Sequence, residues 1–276
     1  MINDKVRGFI GDGLITEVIL SAAGKQAGVN PAEIYVICKS KERCVELREQ
    51  YNVRAVVDAE EFLSRVEILA LALPFDANVE RELSGINEKI PSDTLIISCM
   101  YGLQISTLEK YFPGHPVIRF VMNPMIVAGA GVCAYAVGSV NPADSENISQ
   151  FFLKIVGRTI KVASEAELET VGDLIISGTI YSFVTMNALI ESGRKNGLEV
   201  EKAREIVSQI FTGVNETVTN PDAVVEYLIK QGQAQKKYFE HGKKILADYG
   251  IIDYMSKALA KADVNEIVKF RYHYWR

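Results

Sequence analysis

The chain has 276 residues, and 30 lysines and arginines against 35 aspartates and glutamates give it a formal net charge of −5 at pH 7. This length is sufficient for about two domains. A content of 48% apolar and 24% charged residues is typical of soluble globular proteins and excludes a disordered or collagen-like chain. The acidic balance argues against nucleic acid or an anionic membrane as a partner, because both attract basic surfaces.

Cysteines and histidines are few and scattered: Cys38, Cys44, Cys99, Cys133, His115, His241 and His273. No two cysteines have the CxxC spacing of a zinc site, so we expect no metal. Free thiols are typical of a reducing compartment, and the first residues lack the basic, apolar and small-residue regions of a signal peptide. Both features predict a cytoplasmic protein.

The first half of the chain alternates short apolar runs with helix-forming segments, the pattern of a parallel sheet covered by helices. The predicted strands are residues 6–10, 34–38, 53–57, 68–73, 95–98, 117–122 and 131–137. The predicted helices between them are residues 14–26, 41–50 and 60–65. Residues 120–143 carry no charge, but their Asn-Pro pairs and glycines favour buried strands and turns over a membrane span.

After about residue 164 the apolar residues recur at helical spacing. One long helix is predicted to end near Asn196-Gly197, a second to span residues 200–219, and a third to begin at Asn220-Pro221. We therefore predict an α/β fold with a mostly parallel sheet in residues 1–160, followed by an all-α domain in residues 161–276.

A glycine-rich segment, residues 8–16, lies where the first strand turns into the first helix. In a dinucleotide-binding turn the glycines allow a tight bend and a close approach of pyrophosphate to the helix N-terminus. Thr16 stands at the usual third small position, and the Asp12 carboxylate is unfavourable there unless it points away or pairs with a base. An ordinary glycine turn is the alternative. The predicted cofactor-binding residues of this turn are Gly11, Asp12, Gly13, Leu14 and Ile15.

The second strand is followed by Lys39 and Ser40, without the acidic residue that would bind a ribose 2′-hydroxyl. Lys39, Ser40 and Arg43 suit a 2′-phosphate, so the sequence favours NADP(H), with NAD(H) as the alternative. These residues could also be no more than a solvated helix start.

Segments in the same order along most of the chain resemble the pyrroline-5-carboxylate reductase family. They are residues 8–16 (GFIGxGNMA in the family), 71–74 (AVKP), 95–102 followed by 108–109 (together ISxxAGxxxxxLE), 119–131 (RVMPNTPAxVGxG) and 175–183 (SGSGPAYVF). The resemblance implies a Rossmann domain, a C-terminal dimerisation domain, an active site between them, and NAD(P)H-dependent reduction of 1-pyrroline-5-carboxylate to proline. It also implies that Ala72, Leu73, Pro74 and Met100 bind the cofactor.

The chain departs from this family at the TSPGGTT motif, which holds the substrate. Residues 229–235 read IKQGQAQ and retain only Gly232. Lys230 and Gln233 could instead supply donors to a substrate carboxylate, although an exposed polar helix is an equally simple interpretation.

Candidate catalytic residues follow from the long helix and from the turn after the sixth strand. Ser177, Tyr181 and Thr185 lie at four-residue spacing on one helix face, as substrate-facing hydroxyls or as hydroxyls bonded back into the helix. Asn123 could bind the nicotinamide amide or the substrate. We thus assign catalysis to Ser177, Tyr181 and Asn123. The assigned substrate-binding residues are Thr185, Lys230, Gly232 and Gln233.

The leading hypothesis is an NADP-dependent imine reductase that forms a homodimer or a higher oligomer through its C-terminal helices. A 3-hydroxyacid dehydrogenase is a weaker choice, because residues 168–192 contain no lysine to act as general base. The alternatives are a reductase-like paralogue without this activity and a reductase of a different imine or ketone.

Overall fold

The protein is described here from a computed structural model, which covers residues 7–24, 30–73, 79–140, 157–219, 233–251, 255 and 257. The chain divides into two compact units, Met1–Ile176 and Ser177–Arg276. This division falls within a long helix and thus beyond the predicted boundary at residues 160 and 161.

The first unit contains a sheet and several helices in alternation. Its strands are β1 (Arg7–Ile10), β2 (Ile34–Ile37), β3 (Arg54–Val56), β4 (Ile68–Leu71), β5 (Leu95–Ser98), β6 (Val117–Met122), β7 (Gly131–Val137) and β8 (Gly157–Lys161). Its helices are α1 (Leu14–Ala23), α2 (Lys41–Tyr51), α3 (Glu60–Leu63), α4 (Val79–Leu83) and α5 (Ile105–Tyr111). The helices α6 (Glu165–Lys195), α7 (Val200–Thr219) and α8 (Gln233–Asp248) follow.

The described strands form an eight-stranded sheet with the order β3-β2-β1-β4-β5-β6-β7-β8. The strands β1 to β6 pair in parallel, β7 is antiparallel to β6, and β8 is parallel to β7. The order reverses at β1, where the chain crosses from β3 to β4, and ligands of such sheets bind at the carboxyl ends of the strands beside this point.

Two separate clusters of buried side chains cover the two faces of the sheet. In β4, Ile68 and Ala70 belong to the cluster formed with α1 and α2, whereas Leu69 and Leu71 belong to the cluster formed with α3, α4 and α5. A strand buried on both faces must be apolar at successive positions, which is why these parallel strands read as continuous apolar runs. The predicted α/β class is confirmed.

Three elements of the first unit differ from the sequence-based expectation. The helices α4 and α5 are short and were not predicted. The strand β8 was also missed, because its sequence GRTIK has no apolar run and Arg158, Ile160 and Lys161 are exposed at the edge of the sheet. Such an edge strand is defined by its pairing with β7 and carries little local signal.

The helix α6 ends where the sequence predicts, before Gly197 at a φ of +91°, and α7 has the predicted bounds. By length and composition alone α6 could cross a membrane, and only 17% of its most apolar window is buried. Several apolar side chains of α6 and α7 are exposed: Leu174, Phe183, Val184, Leu189, Ile206, Ile210 and Val214. The predicted start of a helix at Asn220 lies outside the described residues.

Candidate functional site

At the first glycine of the turn between β1 and α1, no larger residue fits. Gly11 has a φ of +112°, and a Cβ atom there would lie 2.5 Å from the Ala72 carbonyl oxygen at the end of β4. The Ala72 N–H also donates to the Ile10 carbonyl oxygen at 2.9 Å. The turn and the end of β4 are therefore packed backbone against backbone, which a side chain would prevent.

Gly13 has the opposite surroundings, because a Cβ atom there would meet nothing within 4 Å. It is the N-cap residue of α1, and its extended backbone carries no capping side chain. The N–H groups of the first helical turn therefore face open space at the carboxyl edge of the sheet. Such a terminus has the geometry and the partial positive charge that bind a pyrophosphate, so the residues present fit a dinucleotide.

The remaining residues of the turn support this geometry. The Thr16 hydroxyl is buried and donates to the Gly11 carbonyl oxygen at 2.6 Å, so the third position closes the turn with a hydrogen bond. Ile15 packs against the core while Leu14 is exposed. This hydrogen bond explains why threonine occurs at the third position, which the sequence motif alone does not explain.

The Asp12 carboxylate is directed to the turn after β2. Its Oδ2 accepts a hydrogen bond from the Lys39 backbone N–H at 2.9 Å. Asp12 therefore has a neutral backbone donor as its partner and not the base that the sequence analysis named.

The three candidates for a 2′-phosphate differ in their surroundings. Lys39 is exposed, and the Ser40 hydroxyl caps α2 by accepting from the Arg43 N–H at 3.2 Å. The Arg43 guanidinium donates to the Asp12 carbonyl oxygen and pairs with Glu17 and Glu46. Arg43 is thus held by acceptors of the protein, while Lys39 is exposed in the same turn and the half-buried Ser40 hydroxyl caps α2.

Other predicted cofactor-binding residues lie at the ends of β4 and β5. Ala72 and Leu73 follow β4 and are buried, and Met100 follows β5 and is buried as well. The Cys99 N–H donates to the Leu71 carbonyl oxygen at 2.8 Å, which ties the two strand ends together. These positions and the β1–α1 turn lie on one edge of the sheet, while Pro74 lies outside the described residues.

A buried ion-pair network beside the end of β5 was not predicted as a unit. Arg119 in β6 pairs in register with Ser98, and its side chain is fully buried. Its Nη1 donates to Glu165 at 2.7 Å and to Glu169 at 2.5 Å. Glu165 also accepts from the Ile105 N–H at the start of α5. The network therefore fastens the first turns of α6 to the sheet and to α5.

Tyr101 stands next to this network, where the ISxxAG motif has alanine. Its hydroxyl donates to Asp173 Oδ1 at 2.8 Å. Burial, this hydrogen bond and the negative charges of Asp173 and Glu169 raise the pKa of Tyr101 well above its ordinary value, and Arg119 opposes the shift. The departure from alanine and the four-residue spacing of the acidic residues are the signals from which the sequence could have indicated this cluster.

The hydroxyl-bearing residues of α6 have different partners. The Ser177 side chain is buried, and its hydroxyl has no hydrogen-bond partner within the described residues. Tyr181 is half-buried, and the Thr185 hydroxyl donates to the Tyr181 carbonyl oxygen at 2.8 Å. Thr185 therefore makes the back-bonded contact that the sequence left as an alternative, whereas the Ser177 hydroxyl keeps its donor unused.

Asn123 joins the end of β6 to the start of β7. Its Oδ1 accepts from the Val132 N–H, and its own N–H donates to the Val132 carbonyl oxygen, both at 3.2 Å. Lys230 and Gly232 lie outside the described residues, as does the side chain of Gln233. Within the described ranges, no group of three or more histidine, cysteine or acidic side chains could hold a metal ion.

Residues 165–265 match the family model described as pyrroline-5-carboxylate reductase dimerisation. Over 244 residues the chain is 28% identical to pyrroline-5-carboxylate reductase 2 of Bacillus subtilis, covering 87% of this chain and 86% of that one.

Solved structures share the fold at lower identity. A pyrroline-5-carboxylate reductase from Coxiella burnetii matches with a TM-score of 0.77 and 22% identity over 93% of this chain and 95% of its own. The Plasmodium falciparum pyrroline carboxylate reductase, solved with NADP bound, matches with a TM-score of 0.78 and 20% identity over 95% of this chain and 98% of its own. Both likenesses establish the same two-part fold along nearly the whole chain.

Proposed function

We propose that the chain is a member of the pyrroline-5-carboxylate reductase family and that it reduces 1-pyrroline-5-carboxylate to proline with NADPH. The observation that carries the proposal is the β1–α1 turn, in which Gly11 packs on β4 and Gly13 leaves the helix terminus open. This arrangement supports dinucleotide binding at the carboxyl edge of a sheet with the appropriate strand order.

The cofactor contacts follow from the positions along that edge. The pyrophosphate would bind the N–H groups at the start of α1, and the adenosine end would lie near Lys39 and Ser40. The nicotinamide half would lie near the ends of β4 and β5, where Ala72, Leu73 and Met100 are buried. Pro74 continues the same segment.

The bound NADPH would supply the hydride that reduces the C=N bond. The task of the protein is to exclude water, to orient the ring and to hold the nitrogen. We assign the buried Ser177 hydroxyl as a donor for the substrate nitrogen, because within the described residues it has no partner to give up. We assign Tyr181 to the same task, and Asn123 to orienting nicotinamide or substrate.

We assign the substrate carboxylate to the segment that replaces the TSPGGTT motif. Lys230, Gly232 and Gln233 offer a cation, backbone N–H groups and an amide in place of the threonines. Thr185 would add a hydroxyl from α6 by exchanging its bond to the Tyr181 carbonyl oxygen for one to the carboxylate. A lysine attracts a carboxylate as a point charge and does not bind it in a bidentate geometry.

We further propose that the protein is a cytoplasmic homodimer. The family model for dimerisation begins at the first residue of α6, and the exposed apolar side chains of α6 and α7 need a cover in water. A second copy of the chain supplies that cover, so the apolar character of α6 reflects an interface between subunits rather than a membrane span.

The absence of TSPGGTT supports a second candidate, which is a reductase-like protein with another imine or ketone substrate or with a regulatory role only.

One assay separates the two functions. With purified protein, NADPH binding is measured by fluorescence titration, and NADPH oxidation is followed with 1-pyrroline-5-carboxylate. The proposed function predicts binding and turnover, with turnover strongly reduced in Ser177→Ala and Tyr181→Phe. Binding without turnover would support the second candidate, and no binding at high micromolar NADPH would overturn both.

A further inference from the structure

Asp12 lies between the two glycines of the β1–α1 turn, yet its carboxylate reaches the neighbouring turn after β2. Oδ2 accepts from the Lys39 N–H at 2.9 Å. The two residues are 27 positions apart in the sequence. Lys39 directly follows Cys38, whose N–H donates to the Val56 carbonyl oxygen at the end of β3. The carboxylate therefore lies at the carboxyl end of β2.

This place has a defined role in dinucleotide-binding folds. An acidic residue at the end of the second strand accepts hydrogen bonds from the adenosine ribose and favours NAD, while a cation there accommodates the 2′-phosphate of NADP. The end of β2 in this chain carries Lys39 and Ser40 in its own sequence. The carboxylate that a strand-end acid would supply instead arrives from Asp12.

Arg43, the cation that contacts the Asp12 backbone, is engaged by other acceptors. The Arg43 guanidinium donates from Nε and Nη2 to the Asp12 backbone carbonyl at 3.2 and 2.8 Å and pairs with Glu17 and Glu46. Glu17 is in turn held by the Tyr51 hydroxyl at 3.1 Å. Arg43 therefore stabilises the turn, and two carboxylates compete with a 2′-phosphate for its charge.

We propose that Asp12 is the residue that recognises the adenosine ribose and that its carboxylate sets the relative affinity of the protein for NADH and NADPH. The carboxylate accepts a hydrogen bond from the 2′-hydroxyl of NADH and repels the 2′-phosphate of NADPH. Lys39 and the Ser40 hydroxyl supply the opposing attraction for the phosphate. This inference rests on the proposed function only in requiring that a nicotinamide dinucleotide binds.

The test compares the dissociation constants of NADH and NADPH for the full chain and for Asp12→Asn, by fluorescence titration or calorimetry without substrate. Asparagine keeps the size of the side chain and an oxygen that can accept from the Lys39 N–H, but it removes the charge. We expect NADH to bind about tenfold more weakly and NADPH to bind more tightly, because a hydrogen bond to a charged group is worth about tenfold or more in affinity.

The matched control is Asp93→Asn. Asp93 is exposed in the turn that precedes β5, at the opposite edge of the sheet. The Asp93→Asn substitution changes the net charge by the same amount but far from the nucleotide site. The ratio of the NADH and NADPH dissociation constants should therefore stay as in the unmodified chain. A second measurement needs no variant: the 2′-deoxy analogue of NADH should bind the unmodified chain about tenfold more weakly than NADH does.

The outcomes separate the two proposals. An unchanged NADH to NADPH ratio in Asp12→Asn, or equal binding of NADH and its 2′-deoxy analogue, would overturn the role of Asp12 and leave the reductase assignment intact. If neither nucleotide bound the unmodified chain, the proposed function itself would be wrong. Binding of both nucleotides with the expected shifts would establish Asp12 as the residue that determines cofactor choice.

Discussion

Thr16 closes the nucleotide-binding turn with its buried hydroxyl, which donates to the Gly11 carbonyl oxygen. Thr16→Val keeps the shape but leaves that carbonyl without its partner, so we expect a loss of about 1–3 kcal/mol in the free energy of unfolding. Urea denaturation measures it. Thr16→Ser retains the hydroxyl and should lose clearly less; equal losses in the two variants would show that the hydroxyl is not what matters.

Arg119 is a fully buried charge whose acidic partners come from α6. Arg119→Met would leave Glu165 and Glu169 without their common cation. Because both glutamates are partly exposed, we expect a loss of about 1–3 kcal/mol, less than the roughly 3–5 kcal/mol of a fully buried pair. The exposed Arg204, paired with Glu201, provides the control, because Arg204→Met should cost less than about 1 kcal/mol. Similar unfolding free energies for the two variants would contradict the role of Arg119.

The raised pKa of Tyr101 should make the free energy of unfolding depend on pH. Burial and Asp173 raise its folded pKa above its ordinary value, so the folded state retains a proton that the unfolded state loses above about pH 10. This contribution is fully present below that pH and is lost as the pH rises toward the folded pKa. Burial likewise raises the pKa of Tyr51 to about 12. Urea unfolding at about pH 8 and about pH 11 should show a smaller loss for Tyr101→Phe than for the unmodified chain; an equal loss would refute the assignment.

The β1–α1 turn allows a test in which two glycines of one element give different results. Gly11→Ala combines a positive φ with a contact on the Ala72 carbonyl, so we expect at least about 2 kcal/mol of destabilisation. Gly13→Ala meets open space and should keep the free energy of unfolding within about 1 kcal/mol. Its methyl group would nevertheless lie where the pyrophosphate approaches, so NADPH should bind at least severalfold more weakly. Unimpaired NADPH binding by Gly13→Ala would argue against this pyrophosphate site.

Elements with strong local signals were predicted well from the sequence. The strands β4 and β5 were predicted because burial on both faces requires a continuous apolar run. The bounds of α7 were predicted because burial along one side of a helix requires apolar residues at helical spacing. The strand β8 leaves none, since it depends on a partner strand and exposes most of its side chains. The short helices α4 and α5 likewise offer too few residues to establish a period.

At the level of the assembled protein, α7 displays an apolar row of Ile206, Ile210 and Val214 at four-residue spacing. If this row is part of the interface between two copies, Ile210→Glu should shift the protein from dimer toward monomer by placing a charge in a desolvated contact. Thr212→Glu introduces the same charge on the other side of the helix and is the control. Sedimentation velocity distinguishes them; a dimer that is unaffected by Ile210→Glu would place the interface elsewhere.

The alternation of the strands β1 to β7 with helices, the glycine turn, and the resemblance to pyrroline-5-carboxylate reductases could be inferred from the amino-acid order, because they depend on residues close together in the sequence. The partners of Asp12, Arg43, Arg119 and Tyr101 could not. Each contacts residues of another element, such as Lys39 for Asp12 and Asp173 for Tyr101. Strand register and helix packing decide such contacts, and local periodicity does not encode them. Cofactor choice depends on one of these contacts, and for that reason the tertiary structure changed the interpretation of Asp12 from an obstacle to the proposed ribose ligand.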